Sequence, residues 1–396
     1  MERRPPLADV LSLLLPTAEE TDLLRVCLYE DQPAWLRSRA DNVFARVGPS
    51  QKCLLPLLAH AARRGDVADA RLRSQLRAAL VSEELRHDAY GRVLHAVLDG
   101  LAAARIPAIV LKGAALADTV YPQPGLRHSH DIDLLVAPED VARAQEIVVP
   151  IGPRRAVADA ATASPSLTLM HPSGLPIQLH TRLFRSAFYQ APLAQIWERS
   201  QRAVIANAAA RTLSAGDALA QILGQAVSAG SRESLLWVCD AWYLMTRTAA
   251  LDWGRFVDVV CQSSLALPVA IQLRYLCEAL ELVVDGAALQ EIEDRAHRAT
   301  ATEREAAISA VRVGARGRLR AMWTRASCWA TRITLIKWMA LPSPRLLRTL
   351  NPSLGAWALP LEYVRRPLGY LTRRLRQSPA RQRTRESLTA SRGRGS

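Results

Sequence analysis

The segment Arg127-His128-Ser129-His130-Asp131-Ile132-Asp133-Leu134-Leu135-Val136 puts two carboxylates one residue apart at the head of an aliphatic run. Side chains alternate along an extended strand, so Asp131 and Asp133 share one face while Ile132 and Leu134 turn toward a core. Adjacent carboxylates repel unless a cation lies between them, and oxygen ligands of this kind suit magnesium or manganese. The implied chemistry is metal-assisted handling of phosphate. The plainer reading of the same residues is a solvated edge strand. Arg127 suits phosphate neutralisation beside the pair, or is an ordinary surface arginine. His128 and His130 have no second histidine at ligand spacing and read as loop residues.

Several elements must hold this pair in place. Pro107-Ala108-Ile109-Val110-Leu111 is a short buried-strand candidate ended by Lys112-Gly113, and Ala114 to Tyr121 reads as a helix stopped by Pro122 and Pro124. After the Asp131–Val136 strand, Pro138-Glu139-Asp140 opens a helix running to about Val148. Ser166–His171 and Leu175–His180 flank Pro172-Ser173-Gly174, a hairpin signature whose second strand alternates Ile177 and Leu179 against Gln178 and His180. The α/β unit is thus expected over residues 105–200, with residues 1–104 helical before it. Leu76, Leu80, Leu85, Leu94 and Val97 keep approximate helical spacing there. Ser82 has Leu85, not an acid, three positions on, so no capping box fixes a boundary. Residues 201–300 are expected to be helical again, with Leu235–Leu244 apolar nearly all round and so centrally buried. A basic helical region follows over 301–379. Residues 380–396, rich in Arg, Ser and Gly without apolar periodicity, read as a disordered tail.

Composition bounds the rest. Of the 396 residues 49% are apolar and 22% charged, which predicts a globular chain with two or three cores. The six cysteines are scattered without a C-x-x-C pair, which predicts buried thiols in a reducing compartment and argues against a zinc site. The run Leu11–Leu15 ends at Pro16 with no cleavage site behind it, and Cys328–Leu341 is interrupted by Arg332 and Lys337. A cytoplasmic protein without a signal peptide or membrane span is expected. The net charge of +14 is unevenly placed: residues 301–396 hold 20 Arg or Lys against 4 Glu, leaving 31 basic and 33 acidic groups in the first 300. Within that stretch Leu361, Val364, Leu368, Leu371 and Leu375 recur at helical spacing among Arg365, Arg366, Arg373, Arg374 and Arg376. Such a basic amphipathic segment suits peripheral contact with an anionic membrane surface, and less well nucleic acid. It equally suits packing of the leucine face on the body with the arginines in water.

Leu111-Lys112-Gly113-Ala114-Ala115-Leu116-Ala117, Tyr121-Pro122, Arg127 and Asp131-Ile132-Asp133-Leu134-Leu135-Val136, in that order, resemble the uncharacterised nucleotidyltransferase family of the DNA polymerase beta-like superfamily. Leu179-His180, Trp237-Val238-Cys239-Asp240, Asp252-Trp253 and Arg366-Pro367-Leu368 continue the resemblance. It implies an α+β fold, a small mixed-sheet nucleotidyltransferase core embedded in mostly helical segments. The implied reaction is magnesium- or manganese-dependent transfer of an NMP group from an NTP to an unidentified acceptor, whether small molecule, peptide or protein. By the same resemblance Asp131 and Asp133 are the catalytic metal ligands, and Lys112, Gly113, Ala114 and Arg127 bind the nucleotide phosphates. Two departures stand out. Ala114 replaces the usual small hydroxyl residue after the glycine. Gln178 replaces the third carboxylate expected one residue before Leu179-His180. A glutamine oxygen still reaches a metal but carries no charge and accepts no proton. His180, on the same strand face, is a candidate base. A second expectation follows: a catalytically impaired nucleotide-binding or scaffold protein whose basic C-terminal region docks on a membrane surface, a partner or nucleic acid.

Overall fold

The computed structural model describes residues 11–12, 15–29, 51–64, 69–149, 166–171, 174–228 and 235–313, with positions 344, 347, 361 and 363. The chain divides into two units, Pro5–Arg325 and Met1–Arg4 with Ala326–Ser396. All the elements below belong to the first. The basic amphipathic positions from Val364 to Leu375, Cys328 and the 380–396 tail lie outside the described residues.

Three helices lead. Helix α1 (Ala18–Leu28) starts in a capping box in which Thr17 and Glu20 satisfy each other's backbone N–H. Helix α2 is Leu55–Arg64. Helix α3 (Ala70–Ala103) is capped by Asp69, whose carboxylate accepts from the N–H groups of Arg71 and Leu72. The leucine spacing left the boundaries inside residues 69–104 open; the answer is one unbroken helix with Ser82 in its interior. Its first half buries Leu72, Leu76 and Leu80 in one apolar cluster. Its second half buries Leu94, Val97, Leu98 and Leu101 in another.

The sheet follows, with helices between its strands. In chain order these are β1 (Ala108–Leu111), α4 (Lys112–Thr119), β2 (Ile132–Val136), α5 (Val141–Val148), β3 (Ser166–Met170), β4 (Pro176–His180), α6 (Leu193–Arg199), β5 (Gln201–Ile205) and β6 (Ala208–Thr212). Among the described residues the spatial order is β3-β4-β2-β1-β6-β5. Strand β2 runs antiparallel to β1 and parallel to β4, which makes the sheet mixed. The expected β3–β4 hairpin forms. Three expectations need correcting. Helix α4 begins at Lys112, two residues before Ala114, and Asp131 lies just ahead of β2. The sheet also continues past residue 200 into the segment expected to be helical. There Ala206 and Asn207, both at positive φ, make a two-residue turn between β5 and β6. These strands, QRAVI and AAART, lack the β-branched alternation that identifies a strand in sequence.

Helices then return as α7 (Ala215–Ser228), α8 (Leu236–Arg247), α9 (Trp253–Gln262), α10 (Ala266–Leu280), α11 (Gly286–His297) and α12 (Ala301–Val313). No helix among the described residues is long and apolar enough to cross a membrane. The central strands are covered on both faces. Val110, Ile132, Leu134, Ile177 and Leu179 face the cluster of α3 and α5. Ile109, Leu111 and Leu135 join the larger cluster built with α7 to α10. Burying each such side chain contributes roughly 1.5–3 kcal/mol. Asp133 sits on the second face, between an apolar sheet and apolar helices, where a carboxylate is costly unless compensated.

Candidate functional site

The compensation for Asp133 comes from its register neighbours. Asp133 pairs with Leu111 of β1 and with Gln178 of β4. The residue after Leu111 is Lys112, and two residues beyond Gln178, on the same face, is His180. Lys112 Nζ lies 3.0 Å and His180 Nε2 2.5 Å from the same oxygen, Asp133 Oδ1. Asp133 and His180 are both almost fully buried. Burial by itself pushes the Asp133 carboxyl up. The charge of Lys112 and the hydrogen bond and charge of His180 more than reverse this and hold it well below the usual carboxylate range. Lys112 reaches Asp133 from a backbone at φ 51°, a left-handed conformation that costs an L-residue roughly 1–2 kcal/mol.

Asp131 is less enclosed. It accepts a hydrogen bond from Gln178 Nε2 at 2.8 Å, and His130 Nε2 stands 3.7 Å from its Oδ2. The loop that carries it is clamped from both helical regions. From α8, Asp240 takes Arg127 in a bidentate pair, Nε at 2.9 Å and Nη2 at 2.8 Å, and also accepts from Tyr121 Oη at 2.7 Å. Arg127 Nη1 donates to the carbonyl of His128. From α3, the buried Glu83 accepts from Ser129 N at 3.1 Å and sits 2.9 Å from His128 Nδ1. Gly113, at the start of α4, fits against this loop because it has no side chain. A Cβ there would lie 2.7 Å from Ser129 Oγ and 3.1 Å from Arg127 Nη1.

Lys112, Gly113, Arg127, His130, Asp131 and Asp133 form one wall of a cleft, and residues of α7 and α8 form the other. Its free space is about 70 Å³, against the roughly 300–1,000 Å³ of small-molecule sites. This free space is smaller than a nucleotide fills. A larger groove of about 480 Å³ lies between α3, the end of α4 and the β5–β6 turn. Its charged lining, Glu84, Asp88 and Asp118 with His87, repels phosphate, and neither Asp131 nor Asp133 reaches it.

The cleft can do the following chemistry. Lys112 and the first N–H groups of α4 present positive potential at its mouth. Magnesium takes one or two protein carboxylates and completes its shell with phosphate and water oxygens. Asp131 and Asp133 supply that number. No group of three His, Cys, Asp or Glu side chains gathers to hold an ion among the described residues. A pair of carboxylates is a donor set of the kind magnesium uses when other oxygens complete its shell.

The sequence-derived residues fall into two groups. Lys112, Gly113, Arg127, Asp131 and Asp133 are brought together at the cleft. His180 and Gln178 stand behind it, each bonded to one of the carboxylates, and the Ala114 side chain packs on the apolar cluster beneath the sheet. Arg127 proved more committed than its sequence position suggested, since Asp240 and a carbonyl already occupy its guanidinium. Glu83 and Asp240 went unrecognised as part of the site. The signal for Asp240 was available in the Trp237-Val238-Cys239-Asp240 string, and Glu83 had none.

Residues 50–281, from just ahead of α2 through α10, match the family described as uncharacterised nucleotidyltransferase. No curated protein matches the chain. Among solved structures, an antigenic nucleotidyltransferase-like protein from Paracoccidioides brasiliensis is similar at 16% identity, over 50% of this chain and 95% of that one, with a TM-score of 0.33.

Proposed function

The chain belongs to the uncharacterised nucleotidyltransferase family, and from that membership we propose that it moves an NMP group from an NTP to an acceptor hydroxyl or amine with magnesium or manganese. The supporting observation is that Asp131 and Asp133 line the same cleft as Lys112 and Gly113 at the start of α4. Acceptor attack on the α-phosphorus breaks its bond to the bridging oxygen and releases pyrophosphate, with the acceptor's proton passing to water. Lys112, with three donors and only one used on Asp133, has donors left for phosphate oxygens. The N–H groups of Gly113 and Ala114, in the first turn of α4, would bind the same anion through the helix terminus. Arg127, held by Asp240, contributes charge to the wall and keeps the loop in register. Asp131 and Asp133 would hold the divalent ion, which when bound offsets the charge of the phosphates and the leaving pyrophosphate. His180 fixes the orientation of Asp133 from behind. In calorimetry, the Asp131→Asn/Asp133→Asn double variant should lose metal-dependent NTP binding by about 100-fold or more, the scale of lost charged contacts. Unchanged binding by that variant overturns the assignment.

A second reading is favoured by Gln178, which donates to Asp131 at the position where the resemblance implies a carboxylate. In it the protein binds nucleotide without turnover and acts as a scaffold, docking through its basic C-terminal region. Incubation with each labelled NTP and magnesium, looking for self-modification and for transfer into cell extract, separates the two. Efficient transfer by the wild type removes the second reading. Transfer by Gln178→Glu alone removes the first.

A further inference from the structure

The cleft wall opposite the carboxylates carries an unmet hydrogen bond. Gln221, on α7, is 2% exposed and lines the cleft. Its amide nitrogen is buried and has no hydrogen-bond partner among the described residues. Neighbouring amides are treated differently. Gln225, one turn on and also in the cleft, donates to the Leu183 carbonyl at 2.7 Å, and the amide nitrogen of Gln272 donates to the Leu223 carbonyl at 3.2 Å while its oxygen has no partner among the described residues. Folded proteins rarely leave such a donor unpaired, because stripping it of water without return is costly. Around Gln221 the wall is made largely apolar by Ile222, Ala226, Leu236 and Trp237, and its other polar side chains, Gln225 and Asp240, are already paired.

The two walls together have the polarity of a nucleotide. Lys112 and the carboxylates suit the phosphate end. A largely apolar surface with one unpaired buried donor suits a flat heteroaromatic ring, whose faces are apolar and whose edge carries ring-nitrogen or carbonyl acceptors. We propose that the α7–α8 wall is a base-reading subsite and that Gln221 is its specificity-determining residue, its amide nitrogen donating to an acceptor on the edge of the base. This rests on the nucleotide-binding reading above and adds to it the part of the substrate that is recognised. A ring that presents a donor, or nothing, at that edge leaves the amide unpaired, and selectivity follows from that difference.

The test is calorimetric binding of ATP, GTP, CTP, UTP and inorganic tripolyphosphate, each with magnesium, to the wild type, Gln221→Leu and Gln221→Glu. The wild type should favour one base over the weakest by about 10-fold or more, the effect of one buried hydrogen bond. Gln221→Leu should erase that preference and leave tripolyphosphate affinity unchanged. Gln221→Glu, which replaces the donor by an acceptor, should weaken the preferred NTP specifically. A melting temperature of Gln221→Leu at or above wild type shows that the fold is intact. Equal binding of all four NTPs and tripolyphosphate, unaffected by either variant, overturns the subsite while the phosphate site stands. No binding of any NTP or of tripolyphosphate overturns the nucleotide reading and the subsite with it.

Discussion

The two walls of the cleft are built on opposite principles. On the sheet side every charge is answered: Asp133 by Lys112 and His180, Asp131 by Gln178, Arg127 by Asp240, and the loop backbone by Glu83. On the helix side the surface is largely apolar, Gln225 and Asp240 are already paired, and one buried donor, on Gln221, is not answered among the described residues. A wall whose charges are paired holds its shape before anything binds, at the cost of bonds that a ligand must share or displace, and the Ser129 hydroxyl is the buried polar atom it leaves without a partner among the described residues. A wall with an open bond has something to gain from a ligand and little to hold it in one arrangement. Orientation is thus fixed from the sheet, and selectivity is gained from the helices.

The walls are joined by Asp240, which reaches from α8 to Arg127 with both groups buried. Removing one member of a buried, hydrogen-bonded ion pair leaves the other uncompensated and costs roughly 3–5 kcal/mol. Asp240→Ala should therefore lower unfolding free energy by about that amount in urea denaturation, the largest single effect expected here. The apolar double variant Arg127→Met/Asp240→Leu should recover most of it, because replacing both partners removes the stranded charge. A cost below about 1 kcal/mol for Asp240→Ala would put the pair in the range of surface ion pairs and would separate the two walls.

This contrast also explains what could be read from the sequence. Strands β1 and β2 and the β3–β4 hairpin are aliphatic, covered on one or both faces, and bounded by Gly and Pro, so local pattern identifies them. Asp131 and Asp133 are legible for the same reason: their spacing relative to a strand sets their face. The β5–β6 hairpin is not legible, because Gln201 to Thr212 carries Ala, Arg and Gln where a covered strand would carry Val and Ile, and its turn has Ala206-Asn207 in place of a glycine pair. The clamps on the loop are pairings across 46 and 113 residues, from Glu83 and Asp240 to residues 129 and 127. No local period carries that information. Gln221 is the extreme case, since an unpaired donor is a property of its surroundings alone.

Gly113 tests how rigid the sheet wall is. Its missing Cβ leaves the space used by Ser129 Oγ and Arg127 Nη1, and Ser129 is tied through its backbone to Glu83. A hydroxyl alone could rotate aside, but an Arg127 held by Asp240 has little room to follow. Gly113→Ala should cost about 1–3 kcal/mol by thermal or urea denaturation, the usual range for overpacking. It should also weaken tripolyphosphate binding, because the start of α4 has to shift. Wild-type stability in this variant would show that the loop gives way freely, and that the wall is held less tightly than its hydrogen bonds suggest.

The smallest effect separates conformation from charge at Lys112. The side chain supplies one of the two contacts to Asp133 Oδ1, and the backbone sits at φ 51°. Lys112→Ala and Lys112→Gly both remove the contact, so the loss of the ion pair is common to the two and cancels in their difference. In an ordinary helix the alanine variant is the more stable by about 1 kcal/mol. At a left-handed position the order inverts, because glycine meets no Cβ clash there while alanine pays roughly 1–2 kcal/mol. Lys112→Gly should thus unfold at higher urea than Lys112→Ala, by about 1 kcal/mol in free energy. The reverse order would mean that the backbone at residue 112 relaxes into the helix once the lysine is gone. The left-handed turn would then be held by the Lys112–Asp133 pair, and the completed sheet wall would depend on its own charges for its shape.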